Sequence, residues 1–258
     1  CCRCKRLGDA CAPPCLASRA QHSLSCSRTL PGIYLYGRMC FSCLYLGFYR
    51  REKTMRFIVL RHAESEWNRS GIIQGRSDSP LTEEGRRQIA GLGARLQMLS
   101  VTLLISSPAG RAFTTAETLA ERCGCTVQMD ERLQEQDFGR LEGLSYAQAM
   151  RDYPEATQCL FAGKAEASAP GGENAYEVAW RLMACLSDLA VDGQNQTLGV
   201  VTHGHALQAL IWWLKGADPQ EDLRRYGHRN CGYAMLDATA SGFNLLNWGV
   251  ATHLLPQR

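Results

Sequence analysis

The sequence lacks a long hydrophobic run. The apolar stretch MCFSCLYLGFY at residues 39–49 is eleven residues long, and a membrane-spanning helix needs roughly twenty. RREK follows it where a signal peptide would carry small residues before a cleavage site, which argues against targeting. The spacing of a structural zinc site is also missing. Cys40 and Cys43 form one C-x-x-C pair, but a zinc module wants a second, well-separated pair of Cys or His. From Met55 onward cysteine is thin: Cys123, Cys125, Cys159, Cys185 and Cys231 are scattered over 204 residues. That pattern excludes a disulfide framework and points to a reducing, cytoplasmic compartment. An excess of positive charge is missing there too. Nineteen Lys and Arg face twenty-three Asp and Glu, so a nucleic-acid partner is not expected. No internal repeat is present.

The overall charge of +3 therefore belongs to residues 1–54, which hold nine Lys and Arg against two acidic residues and eight of the thirteen cysteines. This segment shows neither helical nor strand periodicity. Met55 is expected to be the natural start, and residues 1–54 a poorly ordered, basic, cysteine-rich extension. One domain over residues 55–258 remains, long enough to bury a sizeable core.

Within that domain, short β-rich runs alternate with helical patterns. RFIVL at residues 56–60 reads as a strand buried on both faces, and a polar loop at 65–80 follows. Thr82 can cap a helix whose first turn carries Glu83 and Glu84, with Ile89, Leu92, Leu96 and Leu99 recurring at helical spacing. VTLLISS (101–107) reads as a second strand. Ser107-Pro108 has the form of an N-cap followed by Pro at the first helical position. CTVQMD is a weaker strand, and a loop-rich stretch with the turn signals DFGRLEG and APGGEN follows it. Residues 175–191 read as a helix and TLGVVT (197–202) as a buried strand. The sequence HGH then leads into an apolar helix at 206–214, and YAMLD and FNLLNW are late β runs. Alternation of this kind implies a mostly parallel sheet covered by helices on both faces, a three-layer α/β/α sandwich.

Three of the strand ends carry polar residues: Arg61 and His62, then Ser106, Ser107 and Arg111, then Thr202 and His203. Ligands of open α/β sheets bind outside the carboxyl ends of strands. Taken singly, each His or Arg is more often structural. Gathered at neighbouring strand ends, two Arg and two His form a positive cluster that needs an anion. A phosphoryl group suits the planar fork of Arg, and Arg111 stands in the first turn of its helix, where free N–H groups favour anions. Metal binding is the rival, but the Arg residues would repel a divalent cation and no carboxylate sits beside either His. An oriented His can act as a nucleophile. The leaving alkoxide then needs a general acid, for which LQEQDFGRLEG offers Glu135, Asp137 and Glu142 without deciding among them.

LRHAESEWN, IIQGRSDSPLTEEGRRQ, ISSPAGRAFTTAETLA, LQEQDFGRLEG, PGGEN and VVTHGH, in this order, resemble the motifs of the histidine phosphatase superfamily, also called phosphoglycerate mutase-like. The likeness runs from Met55 to Trp248 and spares the first 54 residues. It implies that His62 is the nucleophile that becomes phosphohistidine. Arg61, Arg111 and His203 would bind the phosphoryl group, with Asn68 and Gln74 lining its pocket. Glu135 would protonate the leaving group and then activate water, and Glu142 is a neighbouring motif carboxylate without that role. The resemblance calls for no metal and no organic cofactor, and for a small phosphorylated metabolite as partner.

Three positions depart from the pattern. Ala63 replaces the usual Gly beside the nucleophile, and activity is expected to survive it. His205 replaces a small residue and is expected to begin a helix rather than line the pocket mouth. Asn174 replaces a frequent Ser, which could alter substrate contacts. Cofactor-dependent mutases carry a longer insertion after the acid and basic pairs that hold a bisphosphate. This sequence has neither and looks most like small bacterial proteins that are named mutases and behave as phosphatases. A phosphomonoester hydrolase is therefore expected; a mutase, or a non-catalytic phospho-ligand binder on the same fold, is the alternative. Specificity is expected in the loops at 65–80 and 140–173.

Overall fold

The computed structural model describes residues 54–192 and 196–254. The expectation for residues 1–53 lies outside the described residues. Among the described residues a six-stranded sheet has the order β3-β2-β4-β1-β5-β6. Its strands are β1 (Met55–Arg61), β2 (Leu103–Ser106), β3 (Thr126–Met129), β4 (Thr197–Thr202), β5 (Tyr233–Thr239) and β6 (Gly242–Val250). β1 to β4 pair in parallel. β5 runs antiparallel to β1 and forms a hairpin with β6. The sheet is thus mostly parallel, as the β/α alternation implies.

The apolar run of β1 divides between two cores, because successive side chains point to opposite faces. Phe57 and Val59 pack with Leu182, Leu186, Leu207 and Leu210, which belong to α6 (Ala175–Asp192) and α7 (Gly204–Leu214). Ile58 and Leu60 pack with Ile89, Leu92, Leu96, Ala116 and Leu119, from α2 (Glu83–Met98) and α3 (Gly110–Cys123). Helices therefore cover both faces, and β1 and β4 are buried along nearly their whole length.

The capping of α2 is as read: Gly85 N donates to Thr82 Oγ1 at 2.9 Å. The same turn grips the segment just beyond His62, since Thr82 N donates to the Glu64 carbonyl at 3.0 Å. Gly85 permits that approach; a Cβ there would lie 2.3 Å from the Glu64 carbonyl oxygen.

Elsewhere the boundaries moved, each time for a polar reason. The span 65–80 holds a short helix, α1 (Glu66–Ser70), nucleated by a capping box between Ser65 and Asn68. The stretch read as loop-rich contains α4 (Tyr146–Asp152), with a second capping box between Ser145 and Gln148, and α5 (Pro154–Phe161), with Pro in its first turn. These two helices pack on Ile73, Phe138 and Leu141 in a third, smaller core. Ser107 does not cap α3. That helix starts at Gly110 with Ala109 at its cap, and the Ser107 hydroxyl faces His203 instead, 2.8 Å from Nε2. α7 begins at Gly204, two residues before the expected start. Among the described residues no helix is long and apolar enough to cross a membrane.

Candidate active site

Strand register brings the predicted residues together. Arg61 lies opposite Thr202, and Ser106 opposite Val201. The ladder continues one residue further, with His62 N donating to the Thr202 carbonyl at 2.9 Å and Ser107 N to the Val201 carbonyl at 2.9 Å. The carboxyl ends of β1, β2 and β4 thus meet at one edge. A cavity of about 280 Å³ opens there, lined among others by Arg61, His62, Asn68, Gln74, Arg111 and Glu135.

His62 has a defined tautomer. Its Nδ1 lies 2.7 Å from the Ala63 carbonyl oxygen, which can only accept, so Nδ1 carries the proton. Its Nε2 lies 3.2 Å from Arg111 Nε, which can only donate, so Nε2 presents its lone pair. Burial, then the charges of Arg111 and Arg61, hold the ring well below the ordinary imidazole pKa. A neutral ring with an unprotonated Nε2 is the form able to attack.

Arg111 is almost fully buried and anchored by the loop that follows α1. It donates from Nη1 to the Ser77 carbonyl at 2.6 Å and to Asp78 Oδ1 at 3.0 Å, and from Nη2 to the Gly75 carbonyl at 2.7 Å. Arg61 donates from Nη1 to the His228 carbonyl at 2.8 Å, while its buried Nε has no partner in the protein. Gln74 donates to Ser65 Oγ at 2.7 Å and leaves its buried Oε1 equally unpartnered. Asn68 closes the capping box of α1 and accepts a hydrogen bond from Asn230 Nδ2 at 3.1 Å. His203 does not line the cavity. It lies fully buried beside His62, ring centroids 5.1 Å apart, with Nδ1 unpartnered. Burial, then Arg111 and His62, depress its pKa well below the ordinary value.

The structure places the three candidate carboxylates differently. Glu135 alone lines the cavity. Its Oε1 accepts from Gln136 N at 2.9 Å and from Ala206 N at 2.8 Å, and its Oε2 accepts from His205 N at 3.2 Å. The first N–H groups of α7 therefore hold the carboxylate in place. Its own segment is fixed from below by Arg181, which donates to the carbonyls of Arg132, Gln134 and Glu135 at 2.8, 2.7 and 2.9 Å and pairs with Glu173 at 2.9 Å. Glu142 serves as a staple for loop backbone, accepting from Arg76 N, Ser77 N and Phe138 N. Asp137 accepts from Gly139 N and pairs with Arg76.

One expectation about the departures is corrected. His205 does stand in the first turn of α7, but it also lines the cavity, its ring edge-on to Phe138 and Phe161. Asn174 stays out of the cavity: its Oδ1 accepts from Glu177 N and its N donates to Glu177 Oε2, a cap for α6. Ala63 is fully buried; its N donates to Thr115 Oγ1 and its carbonyl orients His62.

Sequence reading missed two groups. One is the aromatic wall of Trp67, Phe138, Tyr146 and Phe161. The other is the turn before β5. There His228 holds Arg61, Asn230 Nδ2 donates to the His62 carbonyl at 3.1 Å, and Cys231 N donates to the Arg61 carbonyl at 3.0 Å. Among the described residues no three His, Cys, Asp or Glu side chains form a metal-binding group.

His228 also makes the site sensitive to acid. Its Nδ1–H donates to the Tyr226 carbonyl and its Nε2 accepts from Gly249 N, and burial pushes its pKa down to about 4. An unfolded His takes up its proton near pH ~6.5. Between those two values the unfolded chain binds the extra proton, so stability is complete above pH ~6.5 and is lost as the pH falls toward 4. Urea unfolding at pH 7 and at pH 4.5 is expected to show the loss. His228→Gln should reduce it by about 2–3 kcal/mol, with His62 and His203 contributing in the same direction. Identical losses in the two proteins would contradict this.

Comparison with known proteins gives a consistent set of relatives. The family model described as histidine phosphatase superfamily (branch 1) matches residues 57–251. The probable phosphoglycerate mutase GpmB of Salmonella choleraesuis (strain SC-B67) is 35% identical over 198 residues, which are 77% of this chain and 92% of that protein. YhfR of Bacillus stearothermophilus superposes with a TM-score of 0.74 at 25% identity, over 78% of this chain and 100% of that one. A mycobacterial glucosyl-3-phosphoglycerate phosphatase, solved with VO3, superposes with a TM-score of 0.69 at 28% identity, over 76% of this chain and 99% of that one.

Proposed function

This chain belongs to the histidine phosphatase superfamily (branch 1), and we propose that it hydrolyses small phosphate monoesters through a phosphohistidine formed on His62. The unit responsible is residues 55–258. The observation that carries the reading is the unprotonated Nε2 of His62, facing a cavity whose charged lining is Arg61, Arg111 and Glu135.

The substrate's phosphoryl oxygens take over the Nε–H of Arg111, which frees the Nε2 lone pair. They also meet the unpartnered Nε of Arg61, and Asn68 and Gln74 complete the cradle. The Nε2 lone pair then forms the N–P bond while the P–O bond to the alcohol breaks. Glu135 passes its proton to the departing oxygen. The ring becomes cationic as the bond forms, and the Ala63 carbonyl and the phosphoryl anion offset that charge. A water then attacks phosphorus, Glu135 takes its proton, the N–P bond breaks and inorganic phosphate leaves. His203, its ring 5.1 Å from that of His62 and its Nε2 engaged by Ser107, buttresses the nucleophile from beside it.

The name of the GpmB relative favours a second reading, a mutase. Such an enzyme must hold the phosphoryl donor while water is excluded, and a bisphosphate needs a second cationic subsite. The cavity's two guanidinium groups both flank His62, which supports hydrolysis. The two readings separate in an assay with p-nitrophenyl phosphate and with 3-phosphoglycerate plus 2,3-bisphosphoglycerate. Release of inorganic phosphate from the aryl ester without bisphosphate is expected. Rapid isomerisation of phosphoglycerate with no phosphate release would make the chain a mutase. Binding of phosphate without either reaction would make it a binder.

A further inference from the structure

The cavity must also hold the alcohol from which phosphate is cleaved. We infer that this alcohol is uncharged and carries a flat, largely apolar ring, aryl or heteroaryl. The inference rests on the hydrolase reading above and names the substrate class for that same site.

The cavity has two chemically distinct halves. Every charged side chain in its lining, Arg61, Arg111 and Glu135, belongs to the phosphoryl end. The rest is walled by Trp67, Phe138, Tyr146 and Phe161, with His205 and Gln208 as the polar side chains from α7. The rings brace one another. Phe138 and Phe161 stack at 6.2 Å and 29°, and Tyr146 stands edge-on to Phe161 at 5.4 Å. The His205 ring stands edge-on to Phe138 at 4.9 Å and to Phe161 at 5.9 Å. Phe138 is rooted in the third core at 3% exposure, while Tyr146 is half exposed at the mouth. The wall is therefore formed before any ligand arrives, and ring faces and edges prefer another ring.

A second negative charge on the alcohol would find no guanidinium or ammonium partner there. Neither Lys nor Arg lines the outer half. At the N-terminus of α7, His205 N and Ala206 N already donate to Glu135 and Leu207 N to the His203 carbonyl, and the side-chain donors left in the outer half include no Lys or Arg. A carboxylate placed against the rings would be desolvated without a paired cation. His205, Gln208 and the Tyr146 hydroxyl can still bond a ring heteroatom or a hydroxyl. Size agrees as well. A dry cavity of about 150 Å³ accepts benzene, so about 280 Å³ leaves room for one ring beside the phosphoryl group.

The test compares kcat/KM for 2-phenylethyl phosphate, glycerol 3-phosphate and 3-phosphoglycerate. All three are alkyl esters, so leaving-group acidity does not decide the order. The phenylethyl ester is expected to exceed both others by about tenfold or more, roughly 1.4 kcal/mol. Phe161→Ala should reduce that preference about tenfold, chiefly through KM, and Tyr146→Ala, at the exposed mouth, should reduce it without opening a core cavity. Equal or better use of 3-phosphoglycerate overturns the inference, as does a preference unchanged in both variants. Absence of phosphate release from all three esters and from p-nitrophenyl phosphate is instead the failure of the hydrolase reading. Binding then decides the ring subsite: a melting temperature raised more by 2-phenylethyl phosphate than by 3-phosphoglycerate upholds it, and the reverse or equality overturns it.

Discussion

His62→Ala is expected to lower kcat/KM by on the order of 10⁴-fold or more and to abolish the acid-labile phosphoenzyme. The size follows from the geometry. Among the described residues lining the cavity, His62 is the side chain whose lone pair is fixed toward the phosphoryl end, with Nδ1–H held by Ala63 and Nε2 facing Arg111. His203, the other imidazole at the strand ends, cannot substitute, because it does not line the cavity and its Nε2 is engaged by Ser107. Phosphate binding should largely survive, since Arg61 and Arg111 are anchored by the carbonyls of His228, Gly75 and Ser77 rather than by the ring. The expected signature is a protein still stabilised by inorganic phosphate in thermal unfolding, with no turnover. Full activity in His62→Ala would remove the nucleophile from the mechanism.

Glu135→Gln should separate substrates by their leaving groups. General acid catalysis contributes about 10²–10⁴-fold, and only where the departing oxygen needs the proton. Turnover of alkyl phosphates is expected to fall by that factor, and turnover of p-nitrophenyl phosphate much less, because nitrophenolate leaves unprotonated. The variant keeps the shape of the group, though its amide must now face N–H donors at His205 and Ala206 that the carboxylate accepts from. A modest loss common to all esters is therefore expected as well. A pre-steady-state burst with p-nitrophenyl phosphate would report slow hydrolysis of the phosphohistidine, the step for which Glu135 acts as base. Equal losses for alkyl and aryl esters would assign the proton to another group.

The central sheet and the strand ends were legible in the sequence because both follow from local composition. RFIVL and TLGVVT are apolar on both faces, and only a strand covered by helices on two sides buries them. Once those strands were placed, Arg61, His62, Thr202 and His203 had to end on one edge, which the register confirms. The choice of carboxylate was not legible from the residues themselves. Glu135, Asp137 and Glu142 lie within eight residues, and what separates them is which one meets the N-terminus of α7, a contact across about seventy positions of chain. The short helices α1, α4 and α5 escaped because capping boxes and a first-turn Pro, not hydrophobic periodicity, define them. His205 was misjudged for a related reason. Its position in sequence is that of a helix start, and only the packing of α5 and Phe138 beside it turns the ring into part of the cavity wall. Ser107 shows the converse: a good local cap signal gave way to a tertiary hydrogen bond with His203.

The most direct test of the proposed mechanism is to trap the phosphoenzyme and locate it. Protein quenched during turnover of a phosphate monoester, digested under alkaline conditions and sequenced by mass spectrometry, should carry an acid-labile, alkali-stable phosphoryl group on His62 and none in His62→Ala. Full turnover with the phosphoryl group on another residue, or with no phosphoenzyme at all under conditions that slow its hydrolysis, would contradict the proposed role of His62.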